Sequence, residues 1–169
     1  MTLNHPKGGL TPLRVDSRVR RARVEDAGGI ARAWVRAWQV AYRGLVPDEV
    51  LDRLDVDERR ALWRERLEGG ACTFVFEDLG IAGYCRVVPP AEIASIYVLP
   101  ERRHGGVGSA LLAAGLDELR SHGDHASLWV FTDNHPARAF YARFGFTPDG
   151  EERVDEGTGL TEIRLRTDL

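Results

Sequence analysis

Three residues at a short spacing, Arg103-x-x-Gly106-x-Gly108, stand between a predicted strand and a predicted helix. The strand is predicted over residues 92–98 because β-branched and aromatic side chains are frequent there, and Pro100 ends it. Glycines let the backbone approach a ligand closely, and the free N–H groups of a first helical turn point toward an anion. The pattern predicts a phosphate-binding turn, although a glycine-rich connection without a ligand fits the same residues.

Two common phosphate-binding loops do not fit this turn. A nucleotide-triphosphate loop ends in Gly-Lys-Ser or Gly-Lys-Thr, whereas the only lysine of the chain is Lys7. A dinucleotide fingerprint needs a further glycine three residues after Gly108, where this chain has Leu111. Another class of phosphate-containing ligand is therefore expected.

A second stretch follows another predicted strand, at residues 126–131. Asn134 is suited to cap the next helix, and Gly145 is suited to end it. Phe140 and Phe144 have the spacing of a buried helix face, so we expect both in the core. The segment is thus predicted to be a strand followed by a capped helix.

Together the two stretches resemble motifs of the GNAT acetyltransferase superfamily. The first is similar to its acyl-CoA pyrophosphate loop, Gln/Arg-x-x-Gly-x-Gly/Ala. The second resembles its Asn-x-x-Ala-x-x-Phe-Tyr-x-x-x-Gly-Phe element, with matches at Asn134, Ala137, Phe140, Tyr141, Gly145 and Phe146. The resemblance extends over about residues 18–168. It implies an α/β fold with a mixed, mostly antiparallel sheet of about seven strands flanked by helices, in which a splayed parallel strand pair holds CoA.

The resemblance also implies how acetyl-CoA would bind. Backbone N–H groups of the turn would hold the pyrophosphate, in the stretch Arg103, His104, Gly105, Gly106, Val107, Gly108 and Ser109. The backbone of the preceding strand would bond the pantetheine arm at Ile96, Tyr97 and Val98, with an N–H of Ile96 or Tyr97 at the developing oxyanion. Asn134 would bond the pantetheine amide.

Two side chains are candidates for proton transfer. Tyr141 occupies the superfamily's general-acid position, and a phenol of pKa ~10 can protonate a leaving thiolate of pKa ~8.5; a core tyrosine is the alternative. Glu92 starts the central strand, where many superfamily members carry a glutamate that accepts a proton from the acceptor ammonium, directly or through water. The alternative for Glu92 is a solvent-exposed carboxylate. Strict alternation places it on the face of Ala94 and Ile96, unless a bulge intervenes.

The remaining segments form the frame that positions these residues. Asp26 is expected to cap a helix that runs to Tyr42 and carries aromatic residues beside the acceptor cleft, and Asp55 is expected to cap another helix. Strands are predicted at 18–24, 71–77, 81–88, 92–98, 126–131, 146–154 and 161–166, with the last at the sheet edge.

Length and composition predict one domain over residues 18–169, preceded by a flexible leader at 1–17. The chain has 169 residues, of which 43% are hydrophobic, and no apolar run approaches the ~20 residues of a membrane span. No signal peptide is evident, so a cytoplasmic location is expected. Cys72 and Cys85 are expected to be reduced core thiols, and no metal site is predicted. The net charge of −3 argues against a nucleic-acid partner.

The predicted function is N-acetyl transfer from acetyl-CoA directly to a primary amine in a ternary complex. The acceptor would be a small molecule or a peptide, and the protein a monomer or homodimer. The alternative is a non-catalytic CoA-binding sensor or interaction domain. Acidic residues in segments 48–57 and 151–156, which flank the acceptor cleft in the superfamily, suggest a cationic acceptor; solubilising loop charges are the other interpretation.

Overall fold

Seven strands and five α-helices make up residues 16–169, the part of the chain that the computed structural model describes. The strands are β1 (Val19–Arg21), β2 (Thr73–Glu77), β3 (Ile81–Val88), β4 (Glu92–Val98), β5 (His125–Phe131), β6 (Thr147–Val154) and β7 (Thr161–Asp168). The helices are α1 (Ala27–Ala41), α2 (Asp48–Asp52), α3 (Val56–Glu68), α4 (Val107–Arg120) and α5 (His135–Ala142). The leader predicted at 1–17 lies outside the described residues except for its last two.

The strands form one sheet in the order β1-β2-β3-β4-β5-β7-β6. Neighbouring strands are antiparallel except β4 and β5, which are parallel. The predicted mixed, mostly antiparallel sheet is confirmed. The prediction that the last strand lies at the edge is wrong, because β7 lies between β5 and β6. Alternating polar and apolar residues indicate that a strand has one buried face, but not whether it has one partner or two.

Helices cover both faces of this sheet. On one face, α4 packs Leu111 and Leu112 into a core that includes Ile93 of β4 and Leu128 of β5. On the other face, α1 and α3 contribute to a second core that includes Ile30, Trp63, Val75 and Tyr84. The central strands β3, β4 and β5 are therefore held between the two helical layers.

The helix α4 approaches the sheet closely at Gly115. A Cβ atom at this position would lie 2.9 Å from Cys85 Sγ and 2.9 Å from Ile93 Cδ1, so any larger residue would force these side chains to move. This contact fixes the position of α4 against β3 and β4. The N-terminus of α4 consequently lies beside the C-terminal end of β4, where the phosphate-binding turn was predicted.

The two predicted carboxylate caps have different outcomes. The Asp55 side chain accepts a hydrogen bond from the Glu58 N–H at 2.8 Å, which confirms it as the cap of α3. Asp26 does not cap α1. Its carboxylate accepts hydrogen bonds from the Arg23 N–H at 2.7 Å and from the Arg20 guanidinium at 2.7 and 3.0 Å. The Asp26 carboxylate thus bonds to the Arg20 side chain and not to the N–H groups of the first turn of α1.

Within residues 16–169, no helix combines the length and the apolar character needed to cross a membrane.

Candidate active site

The parallel strands β4 and β5 pair at one point and then separate. Glu92 pairs with Ser127, and the Ser127 N–H donates to the Ala91 carbonyl at 2.7 Å. None of the other described residues of the two strands pair with each other. A cleft of about 840 Å³ lies between the strands and is lined by both. The predicted splayed parallel pair is therefore confirmed.

The strand β4 contains a bulge at Ala94. Val87 of β3 pairs with Ile93, but the adjacent Arg86 pairs with Ser95, which leaves Ala94 without a partner. An extra residue of this kind interrupts the alternation of side chains between the two faces of a sheet.

This bulge determines the direction of Glu92. Because Ala94 is an extra residue between Ile93 and Ser95, Glu92 lies on the same sheet face as Ser95 and Tyr97. The expectation that it shares a face with Ala94 and Ile96 is wrong. Tyr97 packs with the cores on the α1 side of the sheet, whereas Ile96 packs against the core on the α4 side. Glu92 is half-buried and lines the cleft from the α1 side.

The backbone of β4 directs alternate N–H groups toward the cleft. The Leu99 N–H donates to the Ala82 carbonyl of the neighbouring strand at 2.9 Å. Because hydrogen-bonded positions alternate in an antiparallel pair, Tyr97 also bonds to β3. Ile96 and Val98 then direct their N–H groups toward β5. Of the two predicted oxyanion donors, only Ile96 therefore has its N–H on the cleft side.

The turn before α4 presents a run of unused backbone N–H groups. Among the described residues, no acceptor contacts the N–H groups of residues 104–109. Gly106 precedes α4 with a φ of 80°, a conformation that favours glycine, and His104 has a φ of 63°. Free donors at the positive end of a helix dipole are suited to bind an anion such as a pyrophosphate.

The predicted residues of this turn have different positions relative to the cleft. Arg102 forms an ion pair with Asp78, whereas Arg103 is exposed and has no ion-pair partner within residues 16–169. The turn residues that line the cleft are Arg103, His104, Gly106, Gly108 and Ser109. Gly105 and the buried Val107 do not line it.

The N-terminus and one face of α5 form another wall of the cleft. The Asn134 side chain accepts a hydrogen bond from the Ala137 N–H at 3.3 Å, which confirms the predicted cap. Asn134 and Tyr141 both line the cleft. Tyr141 is 9% exposed, and within residues 16–169 its hydroxyl forms no hydrogen bond. Burial raises the pKa of the Tyr141 phenol far above its ordinary value, so the group remains protonated at neutral pH.

Aromatic side chains form the α1 side of the cleft. The hydroxyl oxygens of Tyr42 and Tyr97 lie 3.3 Å apart, and burial raises the pKa of both phenols. The Tyr42 ring contacts Trp38 and Phe131 with centroid separations of 4.6 and 5.1 Å. The family resemblance implied that aromatic residues of this helix lie beside the acceptor cleft, and Trp38 and Tyr42 line it. No motif indicated the Tyr97 side chain as part of this wall.

Most of the acidic residues noted in the sequence do not line the cleft. Asp48 and Asp52 instead pair with Arg43 at 3.1 and 3.0 Å. Of the segments 48–57 and 151–156, only Asp155 contributes a carboxylate to the wall. The other carboxylates that line the cleft belong to Glu92, Asp133 and Glu162. The basic residues that line it are Arg103, His104, Arg143 and Arg153.

Sequence comparison identifies relatives over most of the chain. The model of the acetyltransferase (GNAT) family matches residues 31–146. The uncharacterized N-acetyltransferase YuaI of Bacillus subtilis (strain 168) is 30% identical over 157 residues, which cover 87% of this chain and 90% of that protein. A mycothiol acetyltransferase of Clavibacter michiganensis is 53% identical over 73 residues, which cover 41% of this chain but 24% of the longer relative.

Solved structures share the fold at lower sequence identity. A GCN5-related N-acetyltransferase of Rhodopseudomonas palustris superposes with a TM-score of 0.76 at 18% identity, covering 96% of this chain and 100% of that one. The PaiA N-acetyltransferase of Thermoplasma acidophilum, solved in complex with coenzyme A, has a TM-score of 0.70 at 18% identity and covers 89% of this chain and 98% of its own. With the family match over residues 31–146, the chain belongs to the acetyltransferase (GNAT) family and is an acetyl-CoA-dependent acyltransferase.

Proposed function

We propose that this protein transfers the acetyl group of acetyl-CoA directly to a primary amine while both substrates are bound. The observation that carries the proposal is the composition of one cleft. At one end of this cleft lies the turn at residues 104–109, whose N–H groups are unused, and along one side lies the edge of β4 with the free N–H groups of Ile96 and Val98. The protonated Tyr141 hydroxyl and the Glu92 carboxylate also line it.

The donor would be held mainly by backbone groups. The N–H groups of residues 104–109 bind the pyrophosphate at the positive end of α4, and the exposed Arg103 adds a charge that no acid neutralises within residues 16–169. The pantetheine arm lies along β4 and bonds to the cleft-facing backbone of Ile96 and Val98. We expect Asn134, which lines the cleft at the start of α5, to bond a pantetheine amide.

Proton transfer would be divided between two side chains. Acetyl-CoA supplies an activated acyl thioester. Glu92 accepts a proton from the acceptor ammonium, directly or through water, so that the neutral amine can attack the thioester carbonyl. The Ile96 N–H stabilises the negative charge that develops on the carbonyl oxygen. As the carbon–sulfur bond breaks, Tyr141 donates its phenolic proton to the leaving thiolate. The attacking nitrogen loses its second proton to solvent and becomes the neutral amide nitrogen. Solvent then returns a proton to Tyr141 and takes one from Glu92.

The positions of the cysteines support direct transfer. An acyl-enzyme route needs a nucleophile beside the donor, and cysteine is an effective one. Cys85 is fully buried in the core, and Cys72 lies outside the cleft. We therefore expect intersecting initial-velocity patterns, which indicate a ternary complex. Parallel patterns, the kinetic sign of an acyl-enzyme, would contradict direct transfer.

A primary amine on a small molecule or a peptide is the acceptor class we propose. The names of two relatives of the same family refer to a small molecule, as mycothiol acetyltransferase, and to a protein, as ribosomal protein bS18-alanine N-acetyltransferase. The test is thiol release from acetyl-CoA with a panel of amines, followed by mass spectrometry of the products. An acetylated amine is the expected result. Tight CoA binding without acetylation of any amine would contradict the proposal and favour a CoA-binding sensor.

The matched control for that assay is Gly108→Glu. This change places bulk and negative charge in the turn that faces the cleft, so it should abolish both CoA binding and thiol release. If Gly108→Glu retained CoA affinity in calorimetry, the pyrophosphate site would lie elsewhere.

A further inference from the structure

Arg153 is fixed in the wall of the cleft by two contacts. Its guanidinium carbon lies 4.1 Å from the centroid of the Trp129 ring, and its Nε donates a hydrogen bond to Glu162 at 2.7 Å. All three residues line the cleft. Stacking on an indole and a hydrogen bond through Nε restrict the rotation of the guanidinium, so its plane and its direction are set before any ligand binds.

The edge of the Arg153 guanidinium that carries the two Nη atoms is available to bind a ligand. Within residues 16–169, neither Nη atom of Arg153 has a hydrogen-bond acceptor. The nearest acid along the chain that also lines the cleft, Asp155, is held in its own loop by the N–H and hydroxyl of Thr158 at 2.8 and 2.7 Å. Two parallel Nη–H donors on an oriented guanidinium match the two oxygens of a carboxylate.

The position of Arg153 suits a group on the acceptor rather than on the donor. Its stacking partner Trp129 lies two residues beyond Ser127, the residue that pairs with Glu92, so the Cα atoms of Ser127 and Trp129 are about 7 Å apart along β5. Trp129 and Glu162 belong to the sheet face of Glu92, whereas the turn at 104–109 lies at the N-terminus of α4. A short acceptor could present its amine to Glu92 and its other end to Arg153.

We infer that Arg153 binds a carboxylate of the acceptor, so that the acceptor is an amino acid or a related short amino carboxylate. This inference rests on the proposed function. A second ammonium group fits the same place less well, because Arg153 already covers the Trp129 ring and neutralises Glu162. A cationic group would have to displace the guanidinium, whereas a carboxylate completes its hydrogen bonding.

The test compares amino carboxylates with their amides, which differ only in the group that Arg153 would bind. Binding of glycine, β-alanine and γ-aminobutyrate, and of their amides, is measured by calorimetry with the CoA-saturated protein. Because the Arg153 side chain is half-exposed, we expect an acid to bind about tenfold more tightly than its amide in at least one pair. Arg153→Gln should abolish that preference, and Arg153→Lys should retain part of it.

Arg164→Gln is the matched control. It also removes a positive charge beside Trp129, but Arg164 pairs with Asp149 and does not line the cleft, so the preference should persist. The inference is wrong if every amide binds as tightly as its acid, or if the preference survives in Arg153→Gln.

Turnover with acetyl-CoA is measured separately, so that the two proposals can fail independently. Acetylation of the amides and of simple amines without any preference for acids would refute the role of Arg153 and leave N-acetyl transfer standing. An Arg153-dependent preference in binding without acetylation of any amine would refute the proposed function and leave the carboxylate site standing.

Discussion

Replacing Tyr141 by phenylalanine isolates the proposed acid, because the substitution removes one oxygen and little else. The side chain is 9% exposed and packs against Phe140 and Phe146, with ring centroids 5.2 and 5.9 Å away. A phenylalanine ring retains these contacts. Since the hydroxyl has no hydrogen-bond partner within residues 16–169, the free energy of unfolding should change by less than ~0.5 kcal/mol.

The expected loss of activity follows from the same burial. General acids typically contribute about 10²–10⁴-fold to a rate. Burial raises the pKa of the Tyr141 phenol, so proton transfer from it to a thiolate of pKa ~8.5 is uphill, which favours the lower end of that range. Tyr141→Phe should therefore lower kcat about 100-fold, equivalent to ~2.7 kcal/mol of transition-state stabilisation. CoA affinity should be nearly unchanged.

The pH dependence gives a second, independent prediction. The protonated phenol is the active form, so activity that depends on Tyr141 is lost as the pH rises through its pKa. Because that pKa is raised, the wild-type rate should show no decline attributable to Tyr141 below pH ~10. A decline of the wild-type rate near pH 8 that is absent in Tyr141→Phe would contradict a raised pKa for the Tyr141 phenol.

The assay is steady-state thiol release, with calorimetry for CoA and thermal unfolding for stability. Tyr84→Phe is the matched control, since Tyr84 is also buried but does not line the cleft, and its kcat should be that of the wild type. A Tyr141→Phe enzyme with kcat within twofold of the wild type would refute the role of Tyr141 and leave water as the proton donor.

Three further substitutions test the site and its frame. Glu92→Gln should lower kcat/KM most at acidic pH, where the ammonium form of the acceptor predominates; an unchanged pH–rate profile would exclude Glu92 as the base. Gly106→Ala places a Cβ at a φ of 80° and should lower the free energy of unfolding in urea by about 1–2 kcal/mol and weaken CoA binding; equal losses in Gly105→Ala, where φ is not positive, would contradict this reason. Burial alone would raise the pKa of Asp26, but hydrogen bonds from Arg20 lower it below 3.8, so its stabilising effect is present above that pH and is lost on further acidification. Asp26→Asn should therefore destabilise by about 1–2 kcal/mol at pH 7. A difference from the wild type that did not shrink as the pH fell below 3.8 would refute this role of the Asp26 carboxylate.

The predictions that were confirmed depend on local chemistry. Asn134 and Asp55 accept hydrogen bonds from N–H groups three residues later, so a few neighbouring residues suffice to recognise them. Gly106 and Gly145 have φ values of 80° and 83°, which their residue type anticipates. The turn, the caps at Asn134 and Asp55 and the strands beside them could therefore be located from the sequence before any tertiary contact was known.

The predictions that were wrong depend on partners distant in space. Nothing in the residue types around Ala94 signals the bulge, because it arises from the pairing of β4 with β3. The same pairing decides that the Ile96 N–H is free and the Tyr97 N–H is not. Asp26 has the residue type of a cap, but Arg20, on the preceding strand, offers a charged partner with two hydrogen bonds.

The proposed acceptor end of the cleft is the part that local sequence predicts least, and the sheet order explains why. Arg153 of β6 pairs with Glu162 of β7, and β7 pairs in turn with β5, the strand of Trp129. If β7 were the edge strand, as the sequence analysis predicted, this arrangement of the three side chains would not form. The family match ends at residue 146, before β6 begins. In the proposed mechanism, the donor is therefore held by residues within the family match, whereas the strands after residue 146 supply Arg153 and Glu162 of the proposed acceptor site.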